Sequence, residues 1–341
     1  MRLLLSAIEP SADRLGAELV AELRRRGVAL ELSGLGGPRL QAEGLVPLVP
    51  LAPPAMGLVE VLSHLGAIRR QRRALVEAAG AGADVLLCID APDFHLPVAA
   101  KARARGVRTV GWVSPQLWAW RPGRKHAVAA ALSQLWCLFP FEPPLYGGTS
   151  LDARALGHPA IDRVRPRRPE PGVVAIFPGS RPAELSRLLG PFLEATRDYR
   201  TVLVAEAPGG DLRARLPKDP RLHVVDSAEA MVRAERALTK SGTVTLELAL
   251  HGVPSVVAHR VHPLTYAVGR LLVRGIRFLA LPNLLLDREV FREFVQVFSV
   301  EDLRTALARA EAPPVAELTQ LVGPPGVVER AADLLLAQQR V

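Results

Sequence analysis

A chain of 341 residues exceeds what one hydrophobic core commonly organises and points to two domains. Hydrophobic residues form 49% of it and aromatics 5%, which fits a soluble α/β enzyme, and no apolar run is long enough for a helix to span a bilayer. The formal charge of +9, carried mostly by arginine, suits nucleic acid, an anionic membrane surface or phosphorylated substrates without choosing among them.

In chain order, Leu3–Ile8 reads as a strand, and Glu9-Pro10 follows it too early for a signal peptide. A helix then carries Leu15, Leu19 and Leu23 on one face. Val28–Leu32 is the next strand. The glycines of Gly34-Leu35-Gly36-Gly37 after it allow close backbone approach, but no dinucleotide fingerprint opens a helix there. Val46–Leu51 reads as a short strand and Met56–Glu77 as a long helix with a basic second half. Asp84–Ile89 is nearly continuously apolar, the mark of a central parallel strand. Strands at Arg108–Val113 and Gln134–Leu138 close the first series, and Cys88 and Cys137 sit inside apolar runs as buried free thiols with no metal spacing.

The Pro- and Arg-rich segment Pro159–Pro171 reads as a linker. A second strand–helix series follows, with strands at Val173–Phe177, Thr201–Ala205, Leu222–Val225, Ala237–Thr239 and Ser255–Ala258. Alternation of this kind predicts doubly wound parallel sheets. The expected fold class is therefore α/β: two facing Rossmann-like domains, residues 1–160 and 161–341, with the ligand cleft beyond the strand carboxyl ends. The last helix is left free to pack back on the first domain.

Five stretches carry candidate chemistry. In Pro178-Gly179-Ser180-Arg181 an apolar strand breaks into a helix start. Unpaired N–H groups and a guanidinium there suit phosphate oxygens, although an ordinary capped turn reads the same way. Ser241-Gly242-Thr243 is a second such start, with Glu247 placed for the two hydroxyls of a ribose or as a plain surface glutamate. Asp90 and Asp93 follow the strand ending at Ile89. Asp93 suits the cap of the next helix, which leaves Asp90 as the general base.

The fourth stretch, Ser114–Arg121, crowds Trp118 and Trp120, with Trp112 just before it, beside Arg121, either as the floor of a sugar or acyl pocket or as a structural anchor. In the fifth, Leu58, Val59, Val61, Leu62, Leu65 and Ile68 form an apolar face followed by Arg69, Arg70, Arg72 and Arg73. Such a helix either touches anionic lipid or packs in the core with a solvated basic end. His158 reads as a hydrogen-bonder at a hinge rather than a base.

Taken together, the motifs GGPRLQAEG (Gly36–Gly44), MGLVEVL (Met56–Leu62), DAPDF (Asp90–Phe94), VSPQLWAWR (Val113–Arg121), FPFE (Phe139–Glu142), GHP (Gly157–Pro159), PGSR (Pro178–Arg181), SGTVTLE (Ser241–Glu247), PLTY (Pro263–Tyr266) and LPNLL (Leu281–Leu285) run nearly end to end. In that order and spacing the chain resembles the lipid-A-disaccharide synthases, inverting glycosyltransferases of the two-domain GT-B fold. The resemblance implies transfer of 2,3-diacylglucosamine from its UDP conjugate to 2,3-diacylglucosamine 1-phosphate. The products are the β-1,6-linked disaccharide 1-phosphate and UDP, and neither metal nor cofactor is needed.

The resemblance makes Asp90 the base and Arg181 a required residue. The nucleotide falls to Gly179, Ser180, Arg181, Ser241, Gly242, Thr243, Glu247 and Asn283, and the acceptor to Glu9, Ser11, Asp13, Met56, Trp118 and Arg121. It further implies a cytoplasmic protein, peripheral on the inner face of the cell membrane, with acylated glucosamine lipids as partners and no nucleic acid. A homodimer is left open. One loop departs from the family: two glycines of its first loop are Ile8 and Ala12 here, which narrows the room above that loop. A UDP-N-acetylglucosamine 2-epimerase of the same fold, or a relative that only binds lipid or nucleotide, are the competing readings.

Overall fold

The computed structural model describes residues 1–51, 58–117, 122–206, 210–263, 266 and 277–337, with side chains at all of these but 58–64 and 122. Two units divide the chain. The first is Met1–Pro159 with Val322–Val341, and the second is Ala160–Leu321.

The first unit is built on a seven-stranded sheet in the order β3-β2-β1-β4-β5-β6-β7, and every pairing in it is parallel. Its strands are β1 (Arg2–Ser6), β2 (Glu31–Leu35), β3 (Val46–Pro47), β4 (Val85–Ile89), β5 (Arg108–Trp112), β6 (Gln134–Cys137) and β7 (Asp152–Ala155). Between them run helices α1 (Pro10–Arg25), α2 (Pro38–Ala42), α3 (Leu58–Gly80), α4 (Pro92–Arg103) and α5 (Lys125–Ala131). β4 is buried at all five positions, as its unbroken apolar run requires of a central parallel strand. The core on one face gathers Leu75, Leu86, Phe94, Val98, Leu132 and Leu135.

The second unit repeats the plan with six parallel strands in the order β10-β9-β8-β11-β12-β13. These are β8 (Val173–Phe177), β9 (Thr201–Glu206), β10 (Leu222–Asp226), β11 (Arg236–Lys240), β12 (Ser255–His259) and β13 (Arg292–Val295), with helices α6 (Pro182–Ala195), α7 (Leu212–Arg215), α8 (Ser227–Arg233) and α9 (Val244–Leu250). Leu188, Phe192, Val204, Leu238 and Val256 centre its core.

Several expectations are corrected. β2 begins at Glu31, later than expected, and β3 is cut to two residues. β7 and β13 escaped the sequence reading because DARA and REFV are short and half polar, as sheet-edge strands are. The segment after Pro159 is a bonded strap rather than a free linker. The Arg167 guanidinium donates to the carbonyls of Gly252 (2.6 Å) and Ala234 (2.7 Å), and Arg233 pairs with Glu170.

The chain also leaves the second unit before its end. The His158 N–H donates to the Val322 carbonyl at 2.8 Å, and the last helix, Val327–Ala337, anchors through Arg330, which donates to the Leu156 carbonyl. Arg26, the residue after α1, reaches Asp333 on that last helix.

Candidate active site

In doubly wound sheets ligands gather at the carboxyl ends of the strands where the strand order reverses. The first sheet reverses between β1 and β4, the second between β8 and β11. The candidate residues concentrate at these two places.

At the end of β4 the chain turns through two consecutive left-handed residues, Asp90 (φ 59°) and Ala91 (φ 44°). On the adjacent strand end Val113 is also left-handed (φ 81°), an unusual state for a β-branched residue. The Asp90 carboxylate accepts the Ala91 N–H at 2.7 Å. Burial pushes the Asp90 pKa above the ordinary carboxylate range, and the Ala91 N–H only partly opposes this. His95, buried in α4, bonds through Nδ1 to the Asp90 carbonyl (2.6 Å) and through Nε2 to Ser6 Oγ at the end of β1 (2.8 Å). The expected helix cap is corrected here. Ala91, not Asp93, is the N-cap residue of α4, and the exposed Asp93 carboxylate pairs with Arg124 at 2.6 Å.

At the end of β8, Gly179 is left-handed (φ 111°), and a Cβ there would lie 2.3 Å from Glu184 Oε2. Glycine is required because Glu184 folds back over the turn. Its Oε2 accepts the N–H of Ser180 (3.1 Å) and of Arg181 (3.3 Å). Its Oε1 accepts from Lys240 Nζ at 2.7 Å and lies 3.6 Å from the Arg181 guanidinium. The sequence reading left these N–H groups for an external anion, whereas the protein's own carboxylate holds them. Burial pushes the Glu184 pKa up, but the bond and charge of Lys240, with the Arg181 N–H and guanidinium, outweigh it and the net displacement is downward.

Lys240 ends β11, directly before Ser241. Ser241 Oγ donates to the Leu279 carbonyl at 3.0 Å, Gly242 has φ 157°, and Thr243 is the N-cap residue of the seven-residue α9. Glu247 lies within the first turn of that helix and accepts from Arg163 at 3.1 Å.

Two site assignments are corrected. Asn283, assigned to the nucleotide, is fully buried and saturated. It donates to the Phe291 carbonyl and to Glu293, and it accepts the N–H groups of Val290 and Phe291. Asp13, assigned to the acceptor, is buried and caps α2, accepting the N–H groups of Arg39 (3.1 Å) and Leu40 (3.2 Å). Glycine at position 37 leaves room for that carboxylate, since a Cβ there would sit 2.7 Å from it.

Glu9 precedes α1 as its N-cap residue and Ser11 is exposed beside it. The family's missing glycines impose no strain. Neither Ile8 nor Ala12 has a positive φ, and Ile8 packs against the first core. Met56, Trp118 and Arg121 lie outside the described residues, as do the side chains of Leu58, Val59, Val61 and Leu62. Of the lipid-facing set, Leu65 is exposed and Ile68 is half-buried against the first core. Arg72 is likewise committed to the protein, donating to the Asp93 carbonyl and lying over the Phe94 ring.

Sequence reasoning missed Ser6, His95, Arg163 and Lys240 as parts of these sites. The signal for Lys240 was a lone cation at a strand's carboxyl end. Nothing local marks Ser6 or Arg163, whose partners lie 89 and 84 residues away along the chain.

A family model described as lipid-A-disaccharide synthetase matches residues 3–312. Relatives described as lipid-A-disaccharide synthase include one from Anaeromyxobacter dehalogenans, 36% identical over 99% of this chain and 98% of its own. One from Geobacter sulfurreducens is 34% identical over 98% and 96%, and one from Pseudomonas aeruginosa 39% over 87% and 85%. Among solved structures, the calicheamicin glycosyltransferase CalG4 superposes with a TM-score of 0.65 at 17% identity, covering 98% of this chain and 97% of its own. MurG of Acinetobacter baumannii gives 0.55 at 15%, covering 100% and 99%, and the UDP-GlcNAc 2-epimerase of Neisseria meningitidis 0.58 at 11%, covering 99% and 100%. At these identities the structures share the fold alone.

Proposed function

Because the chain belongs to the lipid-A-disaccharide synthase family and is a glycosyltransferase of the GT-B fold, we propose how its residues divide the reaction. The transfer carries 2,3-diacylglucosamine from its UDP conjugate to the 6-hydroxyl of 2,3-diacylglucosamine 1-phosphate. Asp90 takes the proton of that hydroxyl as it attacks the donor's anomeric carbon, and UDP leaves from the opposite face with inversion. A carboxylate whose pKa is raised by burial is a stronger base than a solvated one, which suits this task.

The Arg181 guanidinium and the N–H groups at Ser241, Gly242 and Thr243 receive the charge that develops on the diphosphate, without a metal ion. Glu247, held by Arg163, takes the ribose hydroxyls. The observation that carries the reading is the coincidence of the family's two motifs with the two strand-order reversals. The epimerase reading is supported by shared fold only.

No helix among the described residues is long and apolar enough to cross a membrane. Both substrates carry two acyl chains and reside in a bilayer, so we place the working enzyme on the inner face of the cell membrane. The start of α3 is its contact, with the exposed Leu65, Arg69 and Arg70 nearby.

The test is release of UDP from UDP-diacylglucosamine with and without the acylated acceptor. Acceptor-dependent release with a disaccharide product supports the transferase. An epimerised sugar without acceptor rejects it, and so does the absence of turnover. Unchanged activity in excess chelator is expected for metal-free handling of the diphosphate.

A further inference from the structure

The first strand-order reversal holds a three-member chain that the reaction scheme does not use. Ser6 Oγ lies 2.8 Å from His95 Nε2, and His95 Nδ1 lies 2.6 Å from the carbonyl oxygen of Asp90. Both Ser6 and the imidazole are buried. A carbonyl oxygen only accepts, so Nδ1 carries the hydrogen. In a neutral ring Nε2 is then the acceptor, and the Ser6 hydroxyl donates a hydrogen bond to it.

The carbonyl that His95 holds belongs to the first of two consecutive left-handed residues. Glycine would adopt this conformation freely, but aspartate and especially alanine do so only under constraint. The same turn brings the Ala91 N–H to the Asp90 carboxylate at 2.7 Å.

We propose that His95 is a positioning residue for glycosyl transfer: braced by Ser6 on β1, it locks the left-handed Asp90–Ala91 turn and so fixes the direction and the N–H support of the Asp90 carboxylate. The inference rests on the reading of Asp90 as the base. It assigns His95 no contact with either substrate.

The tautomer is stable because burial pushes the His95 pKa down to about 4, with Arg72 of α3 acting in the same direction, so the ring stays neutral where the enzyme works. Around the turn, Arg72 donates to the Asp93 carbonyl, Asp93 is paired with Arg124, and burial pushes the Cys88 thiol up to about 12.

Loss of the His95 donor therefore acts through Asp90. Once the turn relaxes, the carboxylate loses the Ala91 N–H that opposes burial, and its pKa rises further. The acid limb of the activity profile moves to higher pH, because the base must be deprotonated.

The experiment compares His95→Leu, His95→Asn, Ser6→Ala and Asp90→Asn, reading kcat, KM for the UDP-sugar and the acid limb of kcat. His95→Leu keeps bulk and removes the donor. It should lower kcat at least about tenfold with KM within about twofold, and raise the acid limb by about half a pH unit or more. His95→Asn, whose amide can donate from near the Nδ1 position, should recover most of the lost kcat and return the limb.

An active Asp90→Asn enzyme overturns the base assignment and the proposal with it. An inactive Asp90→Asn enzyme beside a His95→Leu enzyme with wild-type kcat and acid limb overturns the proposal alone. If His95→Leu does not fold, Ser6→Ala decides. It deletes one hydroxyl and releases the tautomer, so an upward shift of the acid limb supports the lock and an unmoved limb overturns it.

Discussion

Lys240 Nζ lies 2.7 Å from Glu184 Oε1, joining the end of β11 to the first turn of α6, while the other oxygen of the same carboxylate covers the N–H groups of Ser180 and Arg181. The pair bridges the reversal between β8 and β11. An incoming phosphate meets a helix start already occupied by an internal anion whose charge is balanced by a lysine.

Lys240→Met should strand a mostly buried carboxylate and lower stability by about 1–3 kcal/mol at neutral pH, measured by urea denaturation. The pH dependence follows from the lowered Glu184 pKa. A depressed carboxylate adds stability above its unfolded pKa and loses it as pH falls through the folded one, so the difference between wild type and Lys240→Met should shrink below about pH 4. A difference that stays constant from pH 7 to pH 3 would show that the ion pair contributes nothing.

Asp90→Asn should reduce transfer by on the order of a hundredfold or more while UDP binding stays within about twofold, because the proposed base belongs to the first unit and the proposed nucleotide groups to the second. Activity within a few-fold of wild type removes Asp90 from the role. Isothermal calorimetry with UDP supplies the binding half of the comparison.

Arg181→Ala and Glu247→Gln should weaken UDP binding at least about tenfold, since each removes a charge-assisted contact. Asn283→Ala should behave differently. It leaves the N–H groups of Val290 and Phe291 without their acceptor and costs about 2–3 kcal/mol of stability, with UDP affinity of the folded protein little changed. Equal calorimetric losses in all three variants would return Asn283 to the binding site.

Changing Val59, Val61 and Leu62 together to Ser should cut co-sedimentation with anionic vesicles. Activity on short-chain, water-soluble substrates should survive better than activity on long-chain ones. Each nearby arginine contributes about 1 kcal/mol to attraction for an anionic surface, so added salt should weaken binding as well. A triple mutant that unfolds, while its remaining folded fraction binds vesicles normally, would mark that face as core.

The apolar runs of this chain decide its architecture on their own. Val173–Phe177 and Val85–Ile89 are buried along their whole length, as five consecutive apolar residues between turn signals suit a strand covered on both faces. The breaks after them, and the order of the motifs, place the two helix starts and identify the family. These signals are local, and a strand or a turn is specified within a few residues.

The use of the polar residues is not local. Asp13 looks like part of a ligand loop until α2 arrives 26 residues later to be capped, and Asn283 looks like a nucleotide contact until Phe291 folds onto it. Glu184 reads as a helix-start glutamate until the parallel crossover sets Lys240 beside it, 56 residues on. A hydrogen-bonding group has no fixed meaning in sequence, because desolvation makes it bind whatever complementary group the fold brings within reach. Only the tertiary structure decides which carboxylates and amides are spent inside the protein.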